Sequence, residues 1–438
     1  MPIEIIPIGG YSEVGRNCIA IRADNEVVIL DMGLHLERYI NYTDSDDFVE
    51  LSSKKLLEIG AIPDVTLIDD IKDEVKAICV SHAHLDHVGA IPFLGNRFKC
   101  PVHGTPFTIE VLKAILRDEK IDLRNELIEH KVNSRFKISK NIEVEFINAT
   151  HSTPQTVMIA VHTKYGTVLY ANDFKLDNHP TLGQKTNYKR LKEMNVKVAI
   201  TNCLYAHNPA RTPSESIAKK MLEDVLLGTN TEGKSIFVTT FSSHLARIKA
   251  IIQIAKKLNR KVVFLGRSLS KYADAGEEAG IVKFSKEAEI VRYSSKVRGF
   301  LSHLKHPEKN LFVVTGNQGE PKAILSKIVY NGFFKFKPGD MVIFSCQIIP
   351  VPIHFENRDK LETALKQKHV RIFRDVHSSG HASREDHRDF FELVKPEHII
   401  PTHGSIERLD SMRDLAIEMG YDEHKVHILS NGQNIFVE

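Results

Sequence analysis

The sequence predicts an α/β protein of two domains, one of them built on a parallel sheet. Short apolar strands alternate with helical segments, polar residues gather where those strands stop, and the middle of the chain turns to a more regular strand-helix alternation. The 438 residues also exceed what a single hydrophobic core usually serves.

The first strands run EIIPIGG, CIAIRA, EVVILDMG, VKAICVSH, CPVHGT and IEVEFINATH, several ending in glycine, aspartate or histidine. After GTVLYANDFKLD and VKVAITNCLY come KSIFVTTF, KVVFLG, LFVVTG and DMVIFS, separated by helices such as SHLARIKAIIQIAKKL. That spacing implies crossover units and hence parallel strands. Strand ends bearing histidine return at RDVHSSGHAS and IIPTHG, so the first domain is expected to be discontinuous, residues 1–204 and 371–438, with 205–370 inserted. The stretch 38–74, acidic around TDSDD, is the least regular and reads as a surface loop or a partner contact.

Composition narrows the class. With 42% hydrophobic and 26% charged residues the chain is an ordinary globular protein, which excludes disorder. A net charge of +3 tolerates a polyanionic partner without demanding one. The five cysteines are odd in number, scattered and without CxxC spacing, so neither a disulfide framework nor a cysteine metal site is suggested, and a reducing cytoplasm fits best. MPIEIIPIGG has no basic segment ahead of a long apolar one, and no run reaches bilayer length; the expectation is a cytoplasmic, unprocessed protein with no membrane contact.

The densest chemistry is SHAHLDH at 81–87, which places His82, His84, Asp86 and His87 within six positions. Transition metals take imidazole nitrogen and carboxylate oxygen, and a turn after a strand can splay such side chains around two metal positions. One histidine near a helix start is ordinarily a capping or surface residue. Four such groups together are costly to bury unpaired, which favours metal ligation. The segment supplies about half of a binuclear site. Asp31 in VILDMG, His151 in NATHST, Asp173 in YANDFK and His403 in IIPTHG also close apolar strands and are candidates to complete it.

In this order, DMG, SHAHLDH, NATHS and YANDF resemble the successive motifs of the metallo-β-lactamase superfamily. GGYSEVGRN, TPSE, FSSHLARI, GRSL, TGNQGEP, HSSGHAS and PTHG are similar to its β-CASP branch, and within that to the ribonuclease J family in its shorter archaeal form. The resemblance covers nearly the whole chain. It implies an αββα sandwich carrying an inserted β-CASP domain with a parallel sheet.

By position, the resemblance implies one metal on His82, His84 and His151, a second on Asp86, His87 and His403, and Asp173 bridging them. Zinc is the first expectation, with manganese or magnesium as alternatives. Asp31, Asp86 and His381 are the catalytic candidates: Asp31 orienting a ligand histidine, His381 assisting the scissile phosphate or the leaving oxygen. The implied reaction is hydrolysis of single-stranded RNA, from the 5′ end toward the 3′ end with preference for a 5′-monophosphate, by a two-metal hydroxide mechanism. One position departs from the pattern: Asn202 stands where the first β-CASP motif carries an acid, and an amide cannot hold a neighbouring histidine protonated. The implied RNA contacts are Ser242, Ser243 and Arg247 near a helix start, Gly316 and Gly319 in TGNQGE, and Ser379, Gly380, Ala382 and Ser383 in HSSGHAS. His377, Arg267 and Lys271 are further candidates without an assigned role. Rival readings are a β-CASP endoribonuclease, an RNA-binding protein whose catalysis Asn202 has weakened, and a small-molecule hydrolase. A homodimer and partners in RNA decay or processing are compatible with the sequence. Bacterial relatives carry a C-terminal domain beyond NGQNIFVE, so a dimer here is expected to use other surfaces.

Overall fold

The structure, a computed structural model, describes residues 2–43, 52–349 and 352–438; most of the acidic stretch around TDSDD lies outside them. It divides into two compact units, Met1–Asn178 with Gln184–Thr212 and Gly380–Glu438, and His179–Gly183 with Pro213–Ser379.

The first unit contains two mixed sheets. One has seven strands in the order Ile435–Val437, Ile3–Gly9, Cys18–Ala23, Glu26–Leu30, Val75–Cys79, Val102–Gly104, Leu127–Glu129. The other has six, His398–Thr402, Val196–Asn202, Gly166–Ala171, Val157–Thr163, Glu143–Asn148, Ser134–Lys137. The inner strands, such as EVVIL and GTVLYA, are mostly apolar because both faces of each sheet are covered there, whereas the edge strands Leu127–Glu129 and Ser134–Lys137 are partly exposed. Along Gly166–Ala171, Val168 and Tyr170 join a core with Ile5, Val28 and Leu30 of the other sheet. The alternate residues Leu169 and Ala171 pack with Phe390, Phe391, Leu409 and Met412 from helices Arg384–Val394 and Ile406–Glu418. On the far side, helix Pro106–Glu119 lies on Val102–Gly104 and Leu127–Glu129. Helix, sheet, sheet, helix is the αββα sandwich of the metallo-β-lactamase fold.

Strand direction decides where polar ends go. Glu26–Leu30 and Val75–Cys79 run parallel, as do Gly166–Ala171, Val196–Asn202 and His398–Thr402. Parallel neighbours finish on the same edge, so the residues that follow them, Asp31, Ser81, Asp173 and His403, gather at the carboxyl ends.

The second unit is a six-stranded sheet, parallel at every pairing, ordered Ala288–Val291, Lys261–Leu265, Asn310–Val314, Ile236–Thr239, Met341–Phe344, Arg371–Phe373. Phe237, Phe312 and Phe344 form its core with helix residues Val297, Leu325, Leu361 and Leu365. Arg371–Phe373 pairs with Met341–Phe344 and so belongs to this unit; the chain returns to the first unit at Gly380. All five cysteines are buried and unbridged, and among the described residues no helix is long and apolar enough to cross a membrane.

Phe390 is wholly buried between the second sheet and its helices. Phe390→Ala is expected to lower unfolding stability by about 3–5 kcal/mol in denaturant titration, since a cavity replaces the ring.

Candidate metal centre

The first strand of the centre ends at Leu30, and Asp31 follows in the left-handed conformation at φ 58°. Gly33, two residues on, passes so close to the next segment that a Cβ would stand 1.6 Å from the Asp86 carbonyl oxygen. The DMG motif therefore contains a carboxylate and the residue that lets its loop touch the histidine segment. That segment leaves strand Val75–Cys79, carries His82, and turns into the short helix Leu85–Val88 with His84, in extended backbone, at its N-cap. Asp86 falls in its first turn and His87 in its last, which points the four side chains at two places rather than one.

Two groups of ligand atoms result: His82, His84, His151 and Asp173, and Asp86, His87 and His403. His84 Nδ1 lies 3.1 Å from both His82 Nε2 and His151 Nε2. Asp173 Oδ2 lies 3.6 Å from His82 Nε2 and His151 Nε2, and 3.4 Å from His87 Nε2. Asp86 Oδ2 stands 3.5 Å from His87 Nε2 and 3.8 Å from His403 Nε2. Donors around a four-coordinate ion at about 2.0–2.2 Å are separated by about 3.3–3.6 Å. The spacings are those of coordination, and Asp173 Oδ2 faces both groups.

The remaining ring nitrogens settle the tautomers. His87 Nδ1 donates to Asp31 Oδ2 at 2.7 Å, His151 Nδ1 to the Gly380 carbonyl at 2.6 Å, and His403 Nδ1 to Asn17 Oδ1 at 3.0 Å. Ser81 Oγ donates to Asp31 Oδ2 at 2.8 Å, and so accepts from His82 Nδ1 at 3.0 Å. In His82, His151 and His403 the proton sits away from the ligand cluster and the Nε2 lone pair points into it, the arrangement outer hydrogen bonds impose on metal-binding imidazoles, and His87 likewise turns Nδ1 to Asp31 and Nε2 to the cluster. His84 Nδ1 lies 3.1 Å from two of these nitrogens, a spacing that one cation shared by His82, His84 and His151 accounts for.

Electrostatics runs the same way. Burial pushes His82 and His151 well below the usual histidine range, His84 down to about 4, and His403 down as well, which leaves neutral ligands. Burial also presses on His87, but Asp86, Asp173 and Asp31 outweigh it and hold that imidazole well above the ordinary range. Burial opposes charge on Asp173, yet His381, His87 and His403 keep its carboxyl well below the usual carboxylate range. The carboxylates thus call for positive charge between the two groups, and the donor set fits divalent metal.

All seven ligand candidates from the sequence come together, and Asp31 touches a ligand histidine. His381 joins them, its Nδ1 3.6 Å from Asp173 Oδ1 and its ring stacked 6.0 Å from that of His403. Several residues complete the centre in roles the sequence does not assign: Asn17 and Tyr170 are not singled out by it, and Gly380 is expected only as an RNA contact. Asn17 serves His403, the Asp86 carbonyl and His87; Tyr170 OH donates to Asp31 at 2.9 Å; and Gly380 offers its carbonyl, with space for no Cβ, which would lie 2.8 Å from His151 Nδ1. Only their places inside GGYSEVGRN, YANDF and HSSGHAS could have drawn attention to them.

Asn202 is fully buried at the end of its strand, and its Nδ2 donates to the carbonyl of Asn172, the residue before Asp173. The amide is a donor that this carbonyl uses. Ser383 caps helix Arg384–Val394 in a capping box with Asp386, its hydroxyl 3.0 Å from Thr212 Oγ1, and Ala382 N donates to Phe174 O at 2.6 Å.

In the second unit, Arg247 corrects an expectation. Its guanidinium is fully buried, paired with Glu215 at 2.6 and 2.8 Å and donating to Ser345 Oγ and to the Ser345 and Val376 carbonyls. A side chain so enclosed holds the loops behind the sheet together and has no face to offer a phosphate. Gly316 and Gly319 take φ of 111° and 76°, and a Cβ on Gly319 would stand 2.5 Å from the Asn357 backbone; both serve a tight turn. Ser242, Ser379 and His377 are half-buried, Ser243 is buried, and Arg267 is exposed at the start of helix Arg267–Glu278.

Known proteins resemble the chain throughout. Residues 11–225 match the metallo-beta-lactamase superfamily, 233–357 the ribonuclease J beta-CASP domain, and 369–429 the Zn-dependent metallo-hydrolase RNA specificity domain. Ribonuclease J of Methanocaldococcus jannaschii is 43% identical, covering 100% of this chain and 99% of its own. Ribonuclease J of Pyrococcus abyssi is 40% identical over 98% of this chain and 96% of its own, and that of Thermus thermophilus 30% identical over 98% and 73%. A crystal structure of a protein of unknown function from Enterococcus faecalis V583 shares the fold, with a TM-score of 0.68 at 17% identity over 100% of both chains.

Asp31→Asn keeps the shape but loses the carboxylate that holds His87. Metal affinity is expected to fall about 10- to 100-fold, read by titration of metal into chelator-treated protein. Asn202→Asp sets a carboxylate against the Asn172 carbonyl, and the melting temperature at neutral pH is expected to drop, by about 1–3 kcal/mol of stability.

Proposed function

The chain belongs to the ribonuclease J family, and from that premise we propose that it degrades single-stranded RNA from the 5′ end toward the 3′ end, preferring a 5′-monophosphate. It is a metal-dependent ribonuclease; the direction, the end preference and the division of labour below are the proposal. The observation that supports two-metal hydrolysis is Asp173 Oδ2, within 3.4–3.6 Å of ligand nitrogens from both groups, since a shared carboxylate suits two cations side by side; the direction rests on the family alone.

His82, His84, His151 and Asp173 would hold one divalent ion, Asp86, His87, His403 and the same aspartate the other. Bound there, the pair supplies the means to acidify water and to neutralise charge developing on phosphate oxygens. The protein's own share is preorganisation and proton handling. Asp31 is a positioning residue: it holds His87 directly and His82 through Ser81, so neither ring must reorient during the reaction. His381, beside Asp173, donates an N–H to the scissile phosphate or the leaving oxygen. In the first unit the Gly380 N–H is offered to phosphate, on a loop that Ala382 N and Ser383 N fasten to Phe174 O and Asp386; in the second unit the hydroxyls of Ser242, Ser243 and Ser379 are the phosphate contacts, and Gly316 and Gly319 shape a turn. Zinc suits the imidazole-rich donor set best.

The endonuclease reading is separated by one experiment. Single-stranded RNA with a 5′-monophosphate, labelled in turn at each end, should release mononucleotide from the 5′ label at once while the 3′ label stays in long fragments. Internal fragments from both labels would sink the directional proposal. His84→Ala is expected to abolish hydrolysis and retain RNA binding in a filter assay; full activity in this variant would remove the two-metal assignment.

A further inference from the structure

The segment between Asn202 and Thr212 makes a compact turn whose side chains the metal centre does not use. Cys203 N bonds the Thr402 carbonyl at 2.8 Å, Asn208 N bonds Tyr205 O at 2.9 Å, and Tyr205 bridges to Ser383. Thr212 Oγ1 donates to the His381 carbonyl at 2.7 Å. The backbone therefore sets Tyr205 against the catalytic loop: its ring lies 5.9 Å from that of His381, which in turn stands 6.0 Å from His403 and 5.0 Å from His151. On its other side Tyr205 meets the exposed ring of His207 at 6.3 Å.

Arg408 reaches the same place from helix Ile406–Glu418. A Cβ on Gly404 would touch Cys203 Sγ and come within 3.1 Å of Arg408 Cβ, so the missing side chain brings this helix against the turn. Burial raises the pKa of Cys203 and Tyr205 and lowers that of His207, and the guanidinium is near enough to pull all three downward by a smaller amount. Among the described residues it has no ion-pair or hydrogen-bond partner, and neither the Tyr205 hydroxyl nor the His207 ring has one. An arginine usually finds an acid when several are at hand, and this chain has 56. Here the unpaired cation stands instead beside the turn that carries Tyr205 and His207.

We propose that Tyr205, His207 and Arg408 form the platform for one nucleotide flanking the scissile phosphate, its base stacked on Tyr205 and His207 and its phosphate paired with Arg408. The proposal rests on the ribonuclease reading and adds to it where a base is gripped. Stacking accepts any base, because each presents a π face, and it requires a base free of a duplex. The platform thus selects single strands without selecting sequence, and the arginine adds a backbone contact that salt weakens.

The test uses the whole protein with metal and 5′-monophosphorylated RNA oligonucleotides in which one abasic nucleotide is walked past the cleaved bond. In the wild type, one position beside that bond should raise KM by about tenfold or more. Tyr205→Ala should raise KM for intact RNA and erase the abasic effect, Tyr205→Phe should retain the abasic effect, and Arg408→Gln should weaken every RNA and reduce the salt slope by about one ion. The abasic series needs no variant, so a misfolded Tyr205→Ala protein does not blunt the test. Wild-type KM unchanged by every abasic substitution, or an abasic effect that persists in folded Tyr205→Ala, overturns the platform while leaving the nuclease intact. No cleavage of intact RNA by the wild type overturns the ribonuclease reading and the platform with it.

Discussion

One buried carboxylate organises the centre. Asp31 accepts from Ser81 N at 2.7 Å, Ser81 Oγ at 2.8 Å, Tyr170 OH at 2.9 Å and His87 Nδ1 at 2.7 Å, with no exposure to solvent. A desolvated carboxylate tolerates its place only when such donors surround it. The donors come from the histidine segment and from the opposite sheet, so satisfying Asp31 simultaneously joins the two sheets at this edge and aims two ligand rings. The places of His82 and His87 among the ligands follow from that arrangement.

Around it the residues divide by charge. Four imidazoles are made poor bases by burial, while Asp173 keeps negative charge where the groups meet and Asp86 Oδ2 stands 3.5 Å from His87 Nε2. That combination binds divalent cations without saturating them with thiolate, which suits a centre that must also admit a phosphodiester. Asn202 belongs to the same economy of hydrogen bonds: an amide donates to the Asn172 carbonyl where an ionised acid would repel it. The departure from the β-CASP pattern thus has a local reason, independent of whether another group supplies the acid.

The second unit shows how position can mislead. Arg247 sits near the start of helix Leu245–Lys257, where an arginine invites a phosphate, yet Glu215 neutralises it inside the unit. Arg408, with no motif to mark it, keeps its charge unpaired beside Tyr205 among the described residues. Whether a basic residue serves the fold or a ligand is decided by its neighbours in space.

The sequence by itself determined the chemistry's ingredients and their local order. Apolar runs named the strands, strand ends named Asp31, His151, Asp173 and His403, and the tight spacing of SHAHLDH fixed four donors on a strand-turn-helix, because contacts within a few residues follow from backbone geometry. The resemblance of its motifs extended this to the fold and to ribonuclease J. Tertiary structure alone decided which donors share an ion, since Asp173 meets His82 only when two sheets pack and His403 reaches Asp86 across more than three hundred residues. It alone chose the tautomers through Asn17, Ser81 and the Gly380 carbonyl, buried Arg247 and left Arg408 unpaired. Hydrogen-bond partners and burial are properties of the packed chain, and one-dimensional spacing carries no record of them.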